Sequence, residues 1–171
     1  MLHKTTAVFI LMIGICVIGS ATPGMASDRY LSLMLGTSHF GNDLLNDTTP
    51  GITIGTRWEG HRDNTEWFLE GGVFYNSYEE TSPIAMIGTS AHIGQIGPIE
   101  VRAGIAVGTA YYKTLSRDLE THYKIPNIGG FIPMIAASLA LRSGVHELRF
   151  TAVPPDDDTD FILNASWAIQ F

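Results

Sequence analysis

Hydrophobic and polar residues alternate along much of this chain with a period of two, which is typical of a β-strand with two different faces. The C-terminal stretch shows this most clearly, because one of its faces is large and apolar while the other is mostly small or polar. The apolar face carries Phe161, Leu163, Ala165, Trp167, Ile169 and Phe171. The pattern predicts a final strand that turns its apolar face toward lipid.

The same alternation recurs upstream, so that the sequence predicts eight strands joined alternately by short turns and mostly longer, polar loops. Only helices and closed barrels satisfy their backbone polar groups in lipid, and after Ile18 no apolar run is long enough for a spanning helix. We therefore predict an all-β fold, an eight-stranded antiparallel transmembrane up-and-down β-barrel. The predicted strands are Tyr30–Ser38, Gly51–Glu59, Thr65–Asn76, Ser82–Gly94, Ile99–Tyr112, Phe131–Ser143, Val145–Pro154 and Phe161–Phe171.

Charged residues share one strand face with glycines, and aliphatic residues take the other face. This favours a membrane barrel over a soluble β-sandwich or lipocalin-like barrel, in which the apolar face would point inward. We expect the inward charges to pair as a polar plug near the short turns, because unpaired buried charge is costly. Glycines higher in the lumen leave two interpretations open, a slot for a ligand or relief of strain in a tightly curved barrel. The inward charges are Arg57, Glu66, Glu70, Glu100, Arg102, Glu147 and Arg149.

The N-terminus has the features of a cleavable secretory signal peptide. Lys4 gives a positive start, an apolar stretch follows from Ala7 to Ile18, and Gly24 and Ala26 supply small residues for a cleavage site. A transmembrane anchor is the alternative, but it needs about 20 apolar residues. We predict a signal peptide over residues 1–26, a barrel domain over residues 27–171, and location in a bacterial outer membrane.

Composition narrows the possible chemistry. The formal net charge of −7 argues against nucleic-acid binding, which needs a basic face. The only cysteine lies in the predicted signal peptide, and the histidines lack the spacing of zinc ligands. We expect no metal site and no cofactor. Carboxylates at Glu79–Glu80 and Asp156–Asp158 are more simply solvated loops than sites for the divalent ions that bridge lipopolysaccharide phosphates.

Three polar residues are predicted to meet at the outer mouth of the barrel. His39 follows the first predicted strand, and Asn76 and Ser77 lie at the end of the third, which runs in the same direction. A histidine near a serine hydroxyl is a minimal arrangement for acyl transfer. Surface loops are rich in such residues, so that on spacing alone a solvated loop is the simpler interpretation.

The stretch from Asn76 to Gly88, with Pro83-Ile84-Ala85 inside it, resembles the corresponding part of the lipid A palmitoyltransferases, the PagP family. Ile132-Pro133, Ala137-Ser138-Leu139, Val153-Pro154 and the closing Gln170-Phe171 extend the resemblance over most of the predicted barrel. Members of that family are eight-stranded outer-membrane barrels that move a palmitoyl chain from a phospholipid to lipid A.

By position, the resemblance implies that His39 is the catalytic histidine and that Ser77 is the serine next to the catalytic aspartate. Gly88 would lie at the floor of an acyl-chain slot, and Pro50 and Pro133 would interrupt strand pairing to admit lipid laterally. The chain departs from the family at Asn76, where an aspartate is usual, and in lacking room for an amphipathic helix before the first strand. An amide cannot act as a carboxylate base, but it can orient His39 through a hydrogen bond.

The sequence therefore predicts an acyltransferase that resembles lipid A palmitoyltransferase, with His39 as base or proton shuttle, Ser77 as its polar partner and Asn76 as orienting group. The alternative is a non-enzymatic small barrel that binds lipid, adheres to a partner or masks the surface. We expect phospholipid and lipid A or lipopolysaccharide as partners, recognition of the terminal Phe171 by the barrel-assembly machinery, and a monomer. A pore is disfavoured because eight strands enclose a narrow lumen.

Overall fold

Eight antiparallel strands make up most of the described part of the chain in the computed structural model, which describes residues 28–40, 46–117, 121, 129–154 and 161–171. The predicted signal peptide, His122 (one of the histidines without zinc-ligand spacing) and the loop carboxylates at 156–160 lie outside the described residues. The strands are β1 (Asp28–Phe40), β2 (Gly51–Glu59), β3 (Thr65–Tyr75), β4 (Thr81–Ile96), β5 (Ile99–Tyr111), β6 (Phe131–Ser143), β7 (His146–Val153) and β8 (Phe161–Gln170).

Each strand pairs with its neighbours in the sequence, and β1 pairs with β8 to close the barrel. The predicted fold class is thus confirmed. Strand ends differ from the prediction by a few residues, and the difference at β1 matters most. This strand continues to Phe40, so that the expectation that His39 follows the strand is wrong, and His39 lies within it.

The barrel is inside-out compared with a soluble protein. Ile105 and Ile135 on the outer face are 63% and 56% exposed, whereas inward Tyr30 is fully buried. Together such side chains form an apolar outer belt, which suits hydrocarbon rather than water. Among the described residues, no helix is long and apolar enough to cross a membrane.

A cluster of buried ion pairs fills the lumen near the short turns. The Glu147 carboxylate, whose side chain is 3% exposed, lies 2.7 Å from Arg57, 2.8 Å from Arg142 and 2.7 Å from Arg149. Arg149 also pairs with Glu70 at 2.7 Å. The predicted polar plug is present, and Arg142, which was not among the predicted inward charges, belongs to it. The cluster links β2, β3, β6 and β7 across the lumen.

Glycines in the wall make room for large side chains from neighbouring strands. A Cβ at Gly55 would lie 2.2 Å from the ring of Tyr30, and one at Gly88 would lie 2.4 Å from the ring of Phe68. Both distances are far below van der Waals contact. At these two positions aromatic rings therefore pack closely against the glycine backbone inside the lumen. The space next to Gly88 is filled by the Phe68 ring rather than open as a slot, and this glycine makes room for the ring as well as allowing curvature.

We predict that Glu147→Gln destabilises the barrel by roughly 3–5 kcal/mol, because it removes the charge that three guanidinium groups share inside the lumen. The measurement is a urea titration of the folded barrel in detergent micelles, followed by tryptophan fluorescence. Glu59→Gln is the matched control, since Glu59 is exposed and forms no ion pair with any described residue. Equal unfolding midpoints for the two variants would contradict the prediction.

Candidate functional site

An irregularity in β1 sets the direction of the candidate catalytic histidine. Along the β1–β8 ladder, Met34 pairs with Ser166 and Gly36 with Ala165, so that Leu35 is an extra, bulged residue. Tyr30 and Ser32 point inward before the bulge, and Thr37 and His39 pair with inward-facing residues after it. A strictly regular strand would have turned His39 toward lipid, because strand side chains alternate between the two faces.

His39, Asp47 and Ser77 form a hydrogen-bonded chain at the loop end of the barrel. His39 Nδ1 lies 2.8 Å from Asp47 Oδ1, and His39 Nε2 lies 2.7 Å from Ser77 Oγ. The imidazole is almost fully buried, with 2% of its side chain exposed, while the Asp47 side chain is 61% exposed. Strand β1, the segment after the first loop and the β3–β4 loop each contribute one member.

The partners of the imidazole determine the roles of its two nitrogens. An ionised carboxylate only accepts hydrogen bonds, so that in the neutral imidazole Nδ1–H donates to Asp47 and Nε2 is the acceptor. The Ser77 hydroxyl therefore donates to Nε2. Asp47 is held in place from both sides, because its Oδ1 also accepts from the His39 backbone N–H at 3.2 Å and its carbonyl accepts from the Thr37 N–H at 3.0 Å.

Asn76 does not orient His39, so that the predicted hydrogen bond between them is wrong. The fully buried Asn76 amide donates to Ser82 Oγ at 2.8 Å, and its oxygen accepts from the backbone N–H groups of Tyr78 and Glu80 at 2.9 and 3.0 Å. Asn76 thus shapes the β3–β4 loop that presents Ser77. Asp47 supplies the carboxylate beside His39, and it comes from a different loop than sequence comparison suggested.

The β3–β4 loop is tied to the next outer loop by Glu80. Its carboxylate accepts hydrogen bonds from Thr114 Oγ1 at 2.7 Å and from the backbone N–H of Lys113 at 3.0 Å. Slight desolvation raises the pKa of Glu80, but the hydrogen bonds from Thr114 and Lys113 outweigh it and hold this pKa below its usual value. Aromatic packing also joins these loops, because the Tyr112 ring makes edge contacts with the rings of Phe74 and Tyr78 at centroid distances of 6.1 and 6.2 Å.

The two prolines that were predicted to interrupt strand pairing each lie beyond the end of the hydrogen-bonded ladder to one neighbouring strand. Pro50 precedes β2, and the β1–β2 ladder ends at Met34–Gly51, although the Pro50 carbonyl still accepts from the Tyr75 N–H at 2.8 Å. Pro133 pairs with Thr109 of β5, but among the described residues the β6–β7 ladder reaches no further up than Ala137. Proline is suited to such places because it has no N–H to donate.

Sequence reasoning missed Asp47 and the bulge at Leu35. Asp47 lies in a polar loop, and nothing in the local pattern separates it from Asp43 or from other loop carboxylates. The available signal was indirect: an acyltransferase with an asparagine at position 76 would have to place another carboxylate near His39. Among the described residues, no group of three or more His, Cys, Asp or Glu side chains is arranged to hold a metal ion.

The closed eight-stranded barrel, with its apolar belt and ion-paired lumen, defines this chain as a small β-barrel of the bacterial outer membrane. It is similar in structure to the N-terminal β-barrel domain of Pseudomonas aeruginosa OprF, with a TM-score of 0.46 and 12% identity over 84% of this chain and 97% of that one. It is also similar to Yersinia pestis Ail, with a TM-score of 0.45 and 10% identity over 85% of this chain and 99% of that one.

A third similar structure is Neisserial surface protein A, with a TM-score of 0.40 and 12% identity over 85% of this chain and 96% of that one. No protein-family model matches the sequence, and no curated protein matches it either. These similarities carry no argument about activity, so that function rests on the residues of the chain itself.

We predict that Asn76→Asp destabilises the protein by about 1–3 kcal/mol, because an aspartate keeps the acceptor oxygen but loses the donor to Ser82. Ser82 cannot readily replace that donor, since its own hydroxyl donates to the Tyr111 carbonyl. The measurement is the temperature at which the folded barrel, which migrates differently from the unfolded chain in a denaturing gel, changes to the mobility of the unfolded chain. Asn46→Asp is the matched control, because the Asn46 side chain acts there as acceptor for the Thr48 N–H. A larger loss in the control would refute this role of Asn76.

Proposed function

We propose that this protein is an acyltransferase at the outer surface of the membrane, and that Ser77, His39 and Asp47 form its catalytic triad. The observation that carries the proposal is the continuous chain of two hydrogen bonds, 2.7 and 2.8 Å long, through a buried imidazole. A nucleophile, a base in contact with it and a third group that orients the base are the general signature of covalent acyl transfer.

The reaction follows from the protonation states. Ser77 Oγ attacks the carbonyl carbon of a phospholipid ester, and its proton passes to His39 Nε2. The ester C–O bond breaks, the leaving lysophospholipid oxygen takes that proton, and the acyl chain stays on Ser77. A lipid A hydroxyl then gives its proton to Nε2 and attacks the acyl-serine, after which the proton returns to Ser77 Oγ. The charge of Asp47 favours the imidazolium that forms in both steps.

Substrates are proposed from the resemblance to lipid A palmitoyltransferases together with the position of the site. Phospholipid is the proposed donor and lipid A the proposed acceptor. Met86 on β4 and Met134 on β6 both pair with Gly108 of β5, and methionine side chains adapt readily to a new neighbour. The stretch of β6 around Pro133, paired only with β5 among the described residues, is a suitable place for lateral entry of an acyl chain.

The second candidate function is a non-enzymatic barrel that binds lipid, adheres to a partner or masks the surface. The packing of Phe68 against Gly88 favours it, since an acyl chain reaching Gly88 would have to displace that ring. On this proposal the three polar residues are a structural tie between β1 and two loops. The protein would then act through its loops, and the triad would matter for stability alone.

The test is a lipid A mass spectrum from cells with and without the protein. We expect a mass gain of one acyl chain with the unaltered protein, and a loss of that gain by about 10²-fold or more in His39→Ala and Ser77→Ala, because proton transfer by a positioned base contributes roughly 10²–10⁴-fold. Asp47→Asn should lower activity less, since Asp47 is exposed and an amide oxygen still accepts from Nδ1.

Asp63→Asn is the matched control for Asp47→Asn, because Asp63 is an exposed carboxylate in the turn at the opposite end of the barrel. A lipid A mass that is the same with and without folded protein would refute the acyltransferase and leave the non-enzymatic barrel. Full activity in Ser77→Ala would refute the acyl-serine step.

A further inference from the structure

A hollow of about 460 Å³ lies on the outer surface of the barrel at the short-turn end, far from the triad. Its floor is made of Thr89 and Ala91 on β4 and Ala103 on β5. The register sets its shape, because Thr89 pairs with Trp67 on one side and with Ile105 on the other. Two large side chains therefore flank a floor of small ones, and the volume is within the usual range of ligand pockets, roughly 300–1,000 Å³.

The surroundings of this hollow favour a lipid as its occupant. Trp67, Ala91, Ala103 and Ile105 all belong to the outward face of their strands, which forms the apolar belt. An unfilled hollow in this face would lose dispersion contacts along its lining, so that hydrocarbon chains fill it in a membrane. Trp67 lies near the end of its strand, where tryptophan is favoured at the boundary between hydrocarbon and headgroups.

The rim of the hollow carries an arginine that has no ion-pair partner among the described residues. Arg62, in the β2–β3 turn, is exposed and lines the hollow together with His61. Arg57, Arg102, Arg142 and Arg149 all pair with lumen carboxylates, whereas Arg62 forms no ion pair with any described residue. A guanidinium group presents parallel N–H donors that match phosphate oxygens, and Asp63 next to it does not pair with it.

We propose that this hollow binds one anionic glycerophospholipid of the periplasmic leaflet. Its phosphate would lie at Arg62 and His61, and one acyl chain would lie over Ala91 and Ala103 between Trp67 and Ile105. Short turns of such barrels face the periplasm, which places the rim at the level of the inner-leaflet headgroups. The proposal does not depend on the acyltransferase, because the hollow lies at the other end of the barrel from the triad and on the outer rather than the lumenal face of the wall.

The test is native mass spectrometry of the folded barrel released from micelles that contain either phosphatidylglycerol or phosphatidylcholine. We expect one retained phosphatidylglycerol, with at least about tenfold less retention of phosphatidylcholine. Arg62→Gln should reduce the retention of phosphatidylglycerol by about tenfold and bring it close to that of phosphatidylcholine. Ala103→Phe, which places a ring in the hollow, should reduce the retention of both lipids.

Two matched controls make the same substitutions, arginine to glutamine and alanine to phenylalanine, at positions away from the hollow. Arg29→Gln removes another exposed arginine at the same end of the barrel, and Ala137→Phe enlarges an outward alanine on β6. Neither should change retention. Equal retention of the two lipids, or equal losses in the controls, would overturn the proposal. A dimer that Ala103→Phe abolishes would overturn it in favour of contact between two copies of the chain.

The test remains decisive if Ala103→Phe fails to fold. Arg62 is exposed in a turn, so that Arg62→Gln should leave the barrel intact, as its gel mobility before and after heating would show. The comparison of the two lipids on the unaltered protein needs no variant at all. Equal retention there would by itself overturn the proposal.

Discussion

The Glu147 carboxylate, held among three guanidinium groups inside the barrel, is the interaction on which the rest of the structure depends. A closed sheet in lipid must turn its polar side chains inward, where each unpaired charge would cost several kcal/mol. Residues from four strands share these ion pairs, which therefore neutralise the buried charges and also hold the strands in register with one another. The Arg57 guanidinium also lies 4.0 Å above the ring of Tyr30, so that aromatic packing and ion pairing form one lower core.

Ion pairs and aromatic rings fill the lumen near the short turns, and the candidate site lies at the other end, among the longer loops. Strand β1 crosses from one region to the other, and its bulge at Leu35 separates them. Below the bulge, inward residues such as Tyr30 serve the core, while above it His39 meets residues from two loops. One extra residue thus allows a single strand to contribute to the plug, the lipid-facing belt and the candidate site.

Much of the fold was predictable because each strand has one apolar and one polar face, and a period of two is visible without a structure. The inward charges were predictable for the same reason, as Arg57 and Glu147 show. The candidate site was predictable only in part. His39 and Ser77 do meet, but Asp47 could not be identified, since its contact with His39 depends on how a loop folds back and not on any periodicity. The pairing of Gly88 with Phe68 was equally hidden, because it depends on the register between two strands.

The surroundings of position 76 explain why an asparagine is better suited to it than an aspartate. The position is fully buried and needs both a donor, toward Ser82, and an acceptor, toward two backbone N–H groups. An amide offers both, whereas an ionised carboxylate offers only acceptors. With Asp47 beside His39, a second carboxylate at position 76 would add buried charge without a cation to pair with it. Asp47 therefore supplies the carboxylate beside His39, while Asn76 holds the shape of the β3–β4 loop, and each side chain is suited to its surroundings.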